Sequence, residues 1–201
     1  MVDLDGVRVE VRKLSVGWID NNVYLLRDTA TQEALLIDAA DDADRILAEV
    51  GDARLRAIVT THGHRDHWRA LDAVADATGA PVWLHPADED LVRRTPDRAA
   101  EDGKRVGFGQ AEVRVLHTPG HTPGSVCLLL GDRHLFSGDT LFPGGPGNTF
   151  GDEDAFRQIM RSLRDKLFTL DDETWVYPGH GDDTTIGDER PSLDEWEARG
   201  P

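Results

Sequence analysis

Six consecutive positions, His62-Gly63-His64-Arg65-Asp66-His67, constrain this chain more than any other stretch. Three histidines and a carboxylate lie almost directly behind the apolar run Ala57-Ile58-Val59. The run reads as a short buried strand. The six positions themselves read as a loop, because ligands so closely spaced converge from a loop as they could not from a regular helix or strand. Neutral imidazole and carboxylate are the ligands that borderline divalent ions such as zinc prefer. The stretch is therefore read as a metal loop at the carboxyl end of a strand.

One such loop supplies at most half of a two-metal site, so further ligands are required downstream, each just past a strand. Val113-Arg114-Val115-Leu116 runs into His117-Thr118-Pro119-Gly120-His121. Leu135-Phe136-Ser137 runs into Gly138-Asp139, and Trp175-Val176-Tyr177 into Pro178-Gly179-His180-Gly181. Gly and Pro bracket each candidate and turn the chain sharply. The repeated layout of strand, then ligand, is far more specific than any one motif.

The four stretches H-G-H-R-D-H, T-P-G-H-T-P-G-S, S-G-D-T-L-F and P-G-H-G resemble the metal motifs of the metallo-β-lactamase superfamily, in that family's order, between residues 60 and 181. Within it the set is most similar to the glyoxalase II (hydroxyacylglutathione hydrolase) branch, in a short form without the helical carboxyl-terminal extension. The resemblance implies an α/β fold of the four-layer αβ/βα sandwich type, two mixed β-sheets flanked by helices, with the ligand loops meeting at one edge between the sheets. It also implies that His62, His64 and His121 hold one metal, that Asp66, His67 and His180 hold a second, and that Asp139 bridges them. Asp66 and Asp139 are then the catalytic carboxylates. The expected cofactors are two divalent ions, zinc first, with iron and manganese served equally well by the same ligand types.

The activity the resemblance implies is hydrolysis of a hydroxyacyl-thiol type thioester by a hydroxide bridging the two metals. Two divalent ions set against two carboxylates and one hydroxide leave a formal charge of about +1, which favours a small anionic substrate. A thiolate, whose free thiol has a pKa near ~8.5, leaves with little help from a general acid. Two other activities of the same superfamily stand as alternatives: a persulfide dioxygenase with a single iron, and a lactone or other ester or amide hydrolase. The dioxygenases commonly carry a G-C-G-R-T-D-F type stretch after the Asp; Gly145-Pro146-Gly147-Asn148-Thr149-Phe150 echoes it without the Arg and Asp. Glyoxalase II enzymes commonly contact glutathione through basic residues after the bridging Asp, whereas Leu141 to Gly151 has no Lys or Arg and only 21 residues follow His180. The thiol carrier is therefore left open.

Composition narrows the rest. With 201 residues the chain is read as one domain, 1–201, able to bury roughly 70% of its unfolded surface. A hydrophobic share of 39% and a net charge of -16 predict a globular, acidic protein that repels phosphate backbones and anionic membranes. Neither nucleic acid nor membrane is expected as a partner; Arg93-Arg94 and Lys104-Arg105 lie among acids as a mixed solvated face. The amino end is acidic, with no basic stretch leading into an apolar one, and no apolar run approaches the ~20 residues of a membrane span. The single cysteine, Cys127, sits in the apolar run Val126 to Leu130 and reads as a small buried hydrophobe in a reducing compartment. Together these predict a cytoplasmic protein.

Taken in order, Val7 to Val11, Asn22 to Leu26 and Ala34 to Ile37 read as an antiparallel meander, followed by a helix over Ala43 to Val50 that Gly51 ends. A second helix carries Leu71, Val74, Ala75 and Thr78, is capped by Gly79, and leads to the strand Pro81 to Leu84. Asp66 and His67 are expected at or near its amino end, its dipole keeping Asp66 ionised. His85 to Arg105 reads as a solvated connector with a short surface helix around Asp88 to Val92, or else a lid. Leu141 to Gly151 is irregular backbone passing close to the metals, and Asp152 caps a long helix whose apolar face is Phe156, Ile159, Met160, Leu163 and Leu167. Another short helical segment begins near Ser192. His85, His117 and His134 read as satisfied core residues, His117 alternatively as a hydrogen-bonding neighbour of the site.

Overall fold

The strand Val126–Leu130 shows how the layers arise. Its Val126, Leu128 and Leu130 face one apolar cluster while Cys127 and Leu129 face another, as the two-residue period of a strand requires. A strand buried on both faces reads as a continuous apolar run, and all five residues are buried. The computed structural model describes residues 1–201, and the same alternation recurs on the other sheet, where Leu35 and Ile37 face inward and Ala34 and Leu36 outward.

The first sheet holds seven strands in sequence order: β1 (Val2–Leu4), β2 (Val7–Val16), β3 (Asn21–Asp28), β4 (Glu33–Ile37), β5 (Arg54–Val59), β6 (Val82–Leu84) and β7 (Arg98–Ala99). Strands β2 to β4 form the expected antiparallel meander, β1 adds a further antiparallel strand at its edge, and β4 to β7 run parallel. The second sheet contains β8 (Arg105–Phe108), β9 (Ala111–His117), β10 (Val126–Leu130), β11 (His134–Gly138), β14 (Trp175–Pro178) and β15 (Thr184–Thr185), in the order β15-β14-β11-β10-β9-β8. Only β11 and β14 are parallel there. A small ribbon of β12 (Leu141–Phe142) and β13 (Gly145–Pro146) stands apart from both sheets.

Val9, Leu26, Leu35, Ile37 and Val59 of the first sheet meet Val113, Val115, Leu128 and Phe136 of the second in the central layer. On the outer face of the first sheet lie α1 (Ala43–Val50) and α2 (Leu71–Thr78), through Ile46, Val50, Leu71 and Val74. On the outer face of the second lie α3 (Glu153–Asp165), α4 (Ile186–Glu189) and α5 (Leu193–Arg199), through Ile159, Met160, Leu163, Ile186 and Trp196. This is the expected four-layer sandwich. Asp152 caps α3 by accepting from the backbone N–H groups of Asp154 and Ala155, at 2.8 and 3.0 Å. Gly79 ends α2 in the left-handed conformation. Cys127 is fully buried, its thiol pKa pushed up to about 11 by burial. Arg94 pairs with Asp72 and Asp76, and Arg105 with Glu112, so these cations form the expected mixed face. No helix is long and apolar enough to cross a membrane.

One expectation is corrected and a second refined. Asp66 and His67 belong to a separate 3-10 turn, Arg65–His67, and α2 begins only at Leu71. The helix dipole is therefore not what holds Asp66 ionised. The segment after β6 is largely solvated, with the short helical turn expected, here 3-10 over Pro86–Leu91, but its Asp88 is completely buried and Arg98–Ala99 adds the last strand of the first sheet. Burial of a carboxylate requires donors, and Asp88 finds them in the ligand loops.

Candidate metal centre

The parallel strands β4 and β5 and the parallel pair β11 and β14 deliver their carboxyl ends to one edge of the sandwich, the usual place for a site in sheets of this kind. The two sheets are stitched together there. Val126 N–H donates to Thr61 O at 2.9 Å, and Asn22 N–H to Gly179 O at 2.7 Å.

All seven residues singled out from the sequence gather at this edge. His64 Nδ1 lies 2.8 Å from His121 Nε2, and the rings of His64 and His121 stand 4.9 and 4.7 Å from that of His62. On the other side His67 Nε2 is 3.2 Å from His180 Nε2 and 3.5 Å from Asp66 Oδ2, which is 3.3 Å from His180 Nε2. Between the two triads sits Asp139. Its Oδ1 lies 3.4 Å from His67 Nε2, and its Oδ2 is 3.5 Å from His121 Nε2 and 3.7 Å from His180 Nε2. Ligand-type atoms of His62, His64 and His121, of His62, His67 and Asp139, and of Asp66, His67 and His180 form three sets, each within 4.8 Å.

The opposite ring nitrogens settle which tautomers are present. His67 Nδ1–H donates to Asp38 Oδ2 at 2.9 Å, His121 Nδ1–H to the carbonyl of Asn148 at 2.8 Å, and His180 Nδ1–H to the carbonyl of Ile19 at 3.1 Å. The Thr61 hydroxyl donates to Asp38 at 2.8 Å, which leaves its oxygen to accept from His62 Nδ1–H at 3.1 Å. Each of these four imidazoles thus holds its proton on Nδ1 and points Nε2 into the cluster, the arrangement that outer hydrogen bonds impose on metal-binding histidines. Asn21 donates to Asp66 Oδ2 at 3.0 Å.

Electrostatics divide the cluster. Burial, followed by the neighbouring imidazoles, pushes the pKa of His62 far down, and His64 is lowered for the same reasons, so that side is neutral and rich in lone pairs. On the carboxylate side, burial opposes the charges of Asp66 and Asp139. The hydrogen bond from His180 to Asp66 and the charge of His67 beside Asp139 outweigh it and hold both pKa values down. His67 and His180 are pushed up against burial, His67 by Asp139 and Asp38, His180 by Asp66 and Asp139. This half attracts positive charge. Two buried ligand-type atoms, His62 Nε2 and Asp139 Oδ1, have no hydrogen-bond partner. Orphaned buried polar atoms cost about 1–3 kcal/mol each, and a cation between the triads would satisfy both. The donor set therefore fits a pair of divalent ions.

Three participants carried no recognised signal in the sequence. Asp38 directly follows β4 in the same strand-then-ligand layout, and it orients both His67 and, through Thr61, His62. Asn21 is recruited by the turn after β2. Asp88 accepts from Gly63 N–H, Gly124 N–H and the Thr122 hydroxyl, all at 2.7 Å, and so ties the loop of His62 and His64 to the loop of His121. That explains Gly124, where a Cβ would lie 2.6 Å from the Asp88 carboxyl carbon. Gly179 has a similar reason, since a Cβ there would come within 2.3 Å of Asp139 Oδ1. The three remaining histidines stay outside the cluster and are only partly buried. His85 stacks on His117 at 3.9 Å, His117 Nε2–H donates to the Pro123 carbonyl, and His134 bonds the Tyr177 hydroxyl. They are hydrogen-bonded as expected, but they are not core residues.

Residues 16–180 match the Metallo-beta-lactamase superfamily. The chain belongs to that superfamily. An uncharacterized protein of Mycobacterium leprae (strain TN) is 37% identical to it over 205 residues, covering 87% of this chain and 92% of that one. A hydroxyacylglutathione hydrolase of Pseudomonas entomophila (strain L48) is 40% identical over 167 residues, 80% of this chain and 62% of the relative. Among solved structures of the superfamily fold, TTHA1623 in a di-iron-bound form superposes with a TM-score of 0.77 at 34% identity, over 90% of this chain and 97% of that one.

Proposed function

We propose that this member of the superfamily is a two-metal hydrolase acting on small acyl thioesters of the glyoxalase II type, with His62, His64 and His121 around one ion, Asp66, His67 and His180 around the other, and Asp139 shared. The observation that carries the reading is the position of Asp139 between two triads, with its Oδ1 and His62 Nε2 both left without a partner. The hydrolase of Pseudomonas entomophila and the di-iron protein support it. Bound divalent ions supply a water nucleophile at neutral pH, by lowering the pKa of water from about 15.7 toward ~7, and polarise the carbonyl under attack. Zinc is the first choice, with iron the alternative that the di-iron neighbour favours.

The chain's own groups orient and hold. Asp38, Asn148 O and Ile19 O fix the rings of His67, His121 and His180. Asn21 holds Asp66 in the direction of His67 and His180. Asp66 and Asp139 stay ionised at neutral pH, keep the site's net charge low, and are placed to accept a hydrogen bond from a water between the triads. A thiolate leaving group needs no proton donor from the protein. The lack of Lys and Arg in Leu141 to Gly151 argues for a carrier other than glutathione.

The test is a panel of acyl thioesters, lactones and persulfides offered to protein loaded with zinc, iron or manganese. Thioester hydrolysis without oxygen consumption is expected. Oxygen uptake on a persulfide by protein holding one iron per chain would replace this reading with the dioxygenase, and cleavage of lactones alone would shift the substrate class.

A further inference from the structure

Five large apolar side chains are exposed in the whole molecule, Met1, Trp18, Leu91, Phe150 and Trp175; Phe150 and Leu91 lie against the loops of the His/Asp cluster, and Trp18 adjoins in the chain a residue that holds one of its histidines. Phe150 is 72% exposed, and its ring centroid lies 5.8 Å from that of His64 and 6.1 Å from that of His121. Trp18 is 81% exposed and precedes Ile19, whose carbonyl holds His180. Leu91 packs over Gly63, between His62 and His64. Beside His180, the half-buried ring of Phe142 lies 6.4 Å away. Aromatic groups thus stand at both ends of the cluster.

Phe150 is held there at a cost. It has φ 56°, the left-handed region that bulky residues avoid at about 1–2 kcal/mol. Its N–H is pinned by Asn148 Oδ1 at 2.6 Å, while the Asn148 carbonyl holds His121. The one loop therefore orients a ligand-type histidine and presents an aromatic ring beside it. Exposed apolar groups beside a cluster of ligand-type polar atoms mark a ligand site. The charges at this rim are as telling: neither Gly17 to Asp20 nor Leu141 to Gly151 contains Lys or Arg, and Arg65 is the one cation of the ligand loops. A polyanionic peptide thiol would find here only Arg65 and a Lys13 that is already paired with Asp183 beside the Gly181 carbonyl, where an aryl or alkyl group finds flat rings.

We propose that Trp18, Phe142 and Phe150 form a subsite for an uncharged apolar arm, aryl or alkyl, of the substrate cleaved at the His/Asp cluster. The inference rests on the hydrolase reading for the reaction but can be separated from it by a binding measurement. In metal-loaded protein, kcat/KM for S-benzyl thiobutyrate, whose leaving group is an alkyl thiolate like that of glutathione, should exceed that for S-lactoylglutathione at least tenfold. Phe150→Ala should raise KM for the benzyl thioester roughly tenfold, with Phe150→Leu recovering part of the loss. Butyl phenyl sulfide, which lacks the carbonyl and cannot be hydrolysed, should quench tryptophan fluorescence saturably; Trp18→Phe should remove the signal and Phe150→Ala weaken binding several-fold. Both positions are exposed, so the variants are expected to fold. Cleavage of thioesters with no aryl preference, or a preference unchanged by Phe150→Ala, overturns the subsite and leaves the hydrolase standing. Saturable, Phe150-dependent binding of the sulfide without turnover of any thioester supports the subsite and removes the hydrolase reading.

Discussion

Asp139→Ala is expected to lower thioester hydrolysis by more than about 10³-fold, the scale set by losing several kcal/mol of stabilisation at a charged centre, and to bring the metal content below one ion per chain. The reason is the position of its carboxylate. Asp139 alone stands within 3.7 Å of ligand nitrogens from both triads, with His121 on one side and His67 and His180 on the other. In the proposed arrangement, loss of one imidazole would remove a ligand from one ion, whereas loss of Asp139 would remove the shared one and leave two half-sites repelling each other. In the metal-free protein Asp139 is held ionised by the imidazoles beside it, so the metal-free variant should unfold somewhat below the metal-free parent. A variant that retains two ions and full activity would refute the shared role.

Asp88→Ala should act in the opposite manner, on the fold first. Two N–H groups now satisfied at 2.7 Å, those of Gly63 and Gly124, would be left buried and unpaired, and the Thr122 hydroxyl would keep only Ser125 Oγ. Orphaned buried donors cost about 1–3 kcal/mol each, so a loss on the order of 3–5 kcal/mol is expected. For a chain of this length that corresponds to a fall in Tm of roughly 10 °C. Metal retention should weaken with it, because Asp88 is what joins the loop of His62 and His64 to the loop of His121. Asp88→Asn keeps the shape and part of the acceptor capacity and should fall between. Melting of the metal-free Asp88→Ala protein within about 1 °C of the parent would show that the buttress carries no load.

The difference between these two carboxylates also marks how far the site is legible in the sequence. Asp139, His121 and His180 each follow an apolar run and a turn, so local pattern and strand order are enough to nominate them, and fully apolar strands such as Val126–Leu130, buried on both faces, make the layered fold readable. Asp88 and Asn21 have no such signature. Asp88 lies 25 residues from Gly63 and 36 from Gly124 in the chain, and among the acids of Pro86–Leu91 nothing local distinguishes the one that folds inward. Asp38 does share the strand-then-ligand layout, but as a single Asp after a strand it reads equally well as a turn residue. The turn Arg65–His67 reads as the start of a helix because the apolar spacing of Leu71, Val74 and Ala75 runs close behind it. Convergence of His64, Asp66 and His67 demands the tighter turn.

The central claim is that seven side chains from four loops share two divalent ions through Asp139. Elemental analysis of zinc-reconstituted protein, paired with the same measurement on Asp139→Ala, tests it most directly. Two ions per chain in the parent and fewer than one in the variant are predicted; a parent that binds one ion or none at saturating zinc would contradict the account.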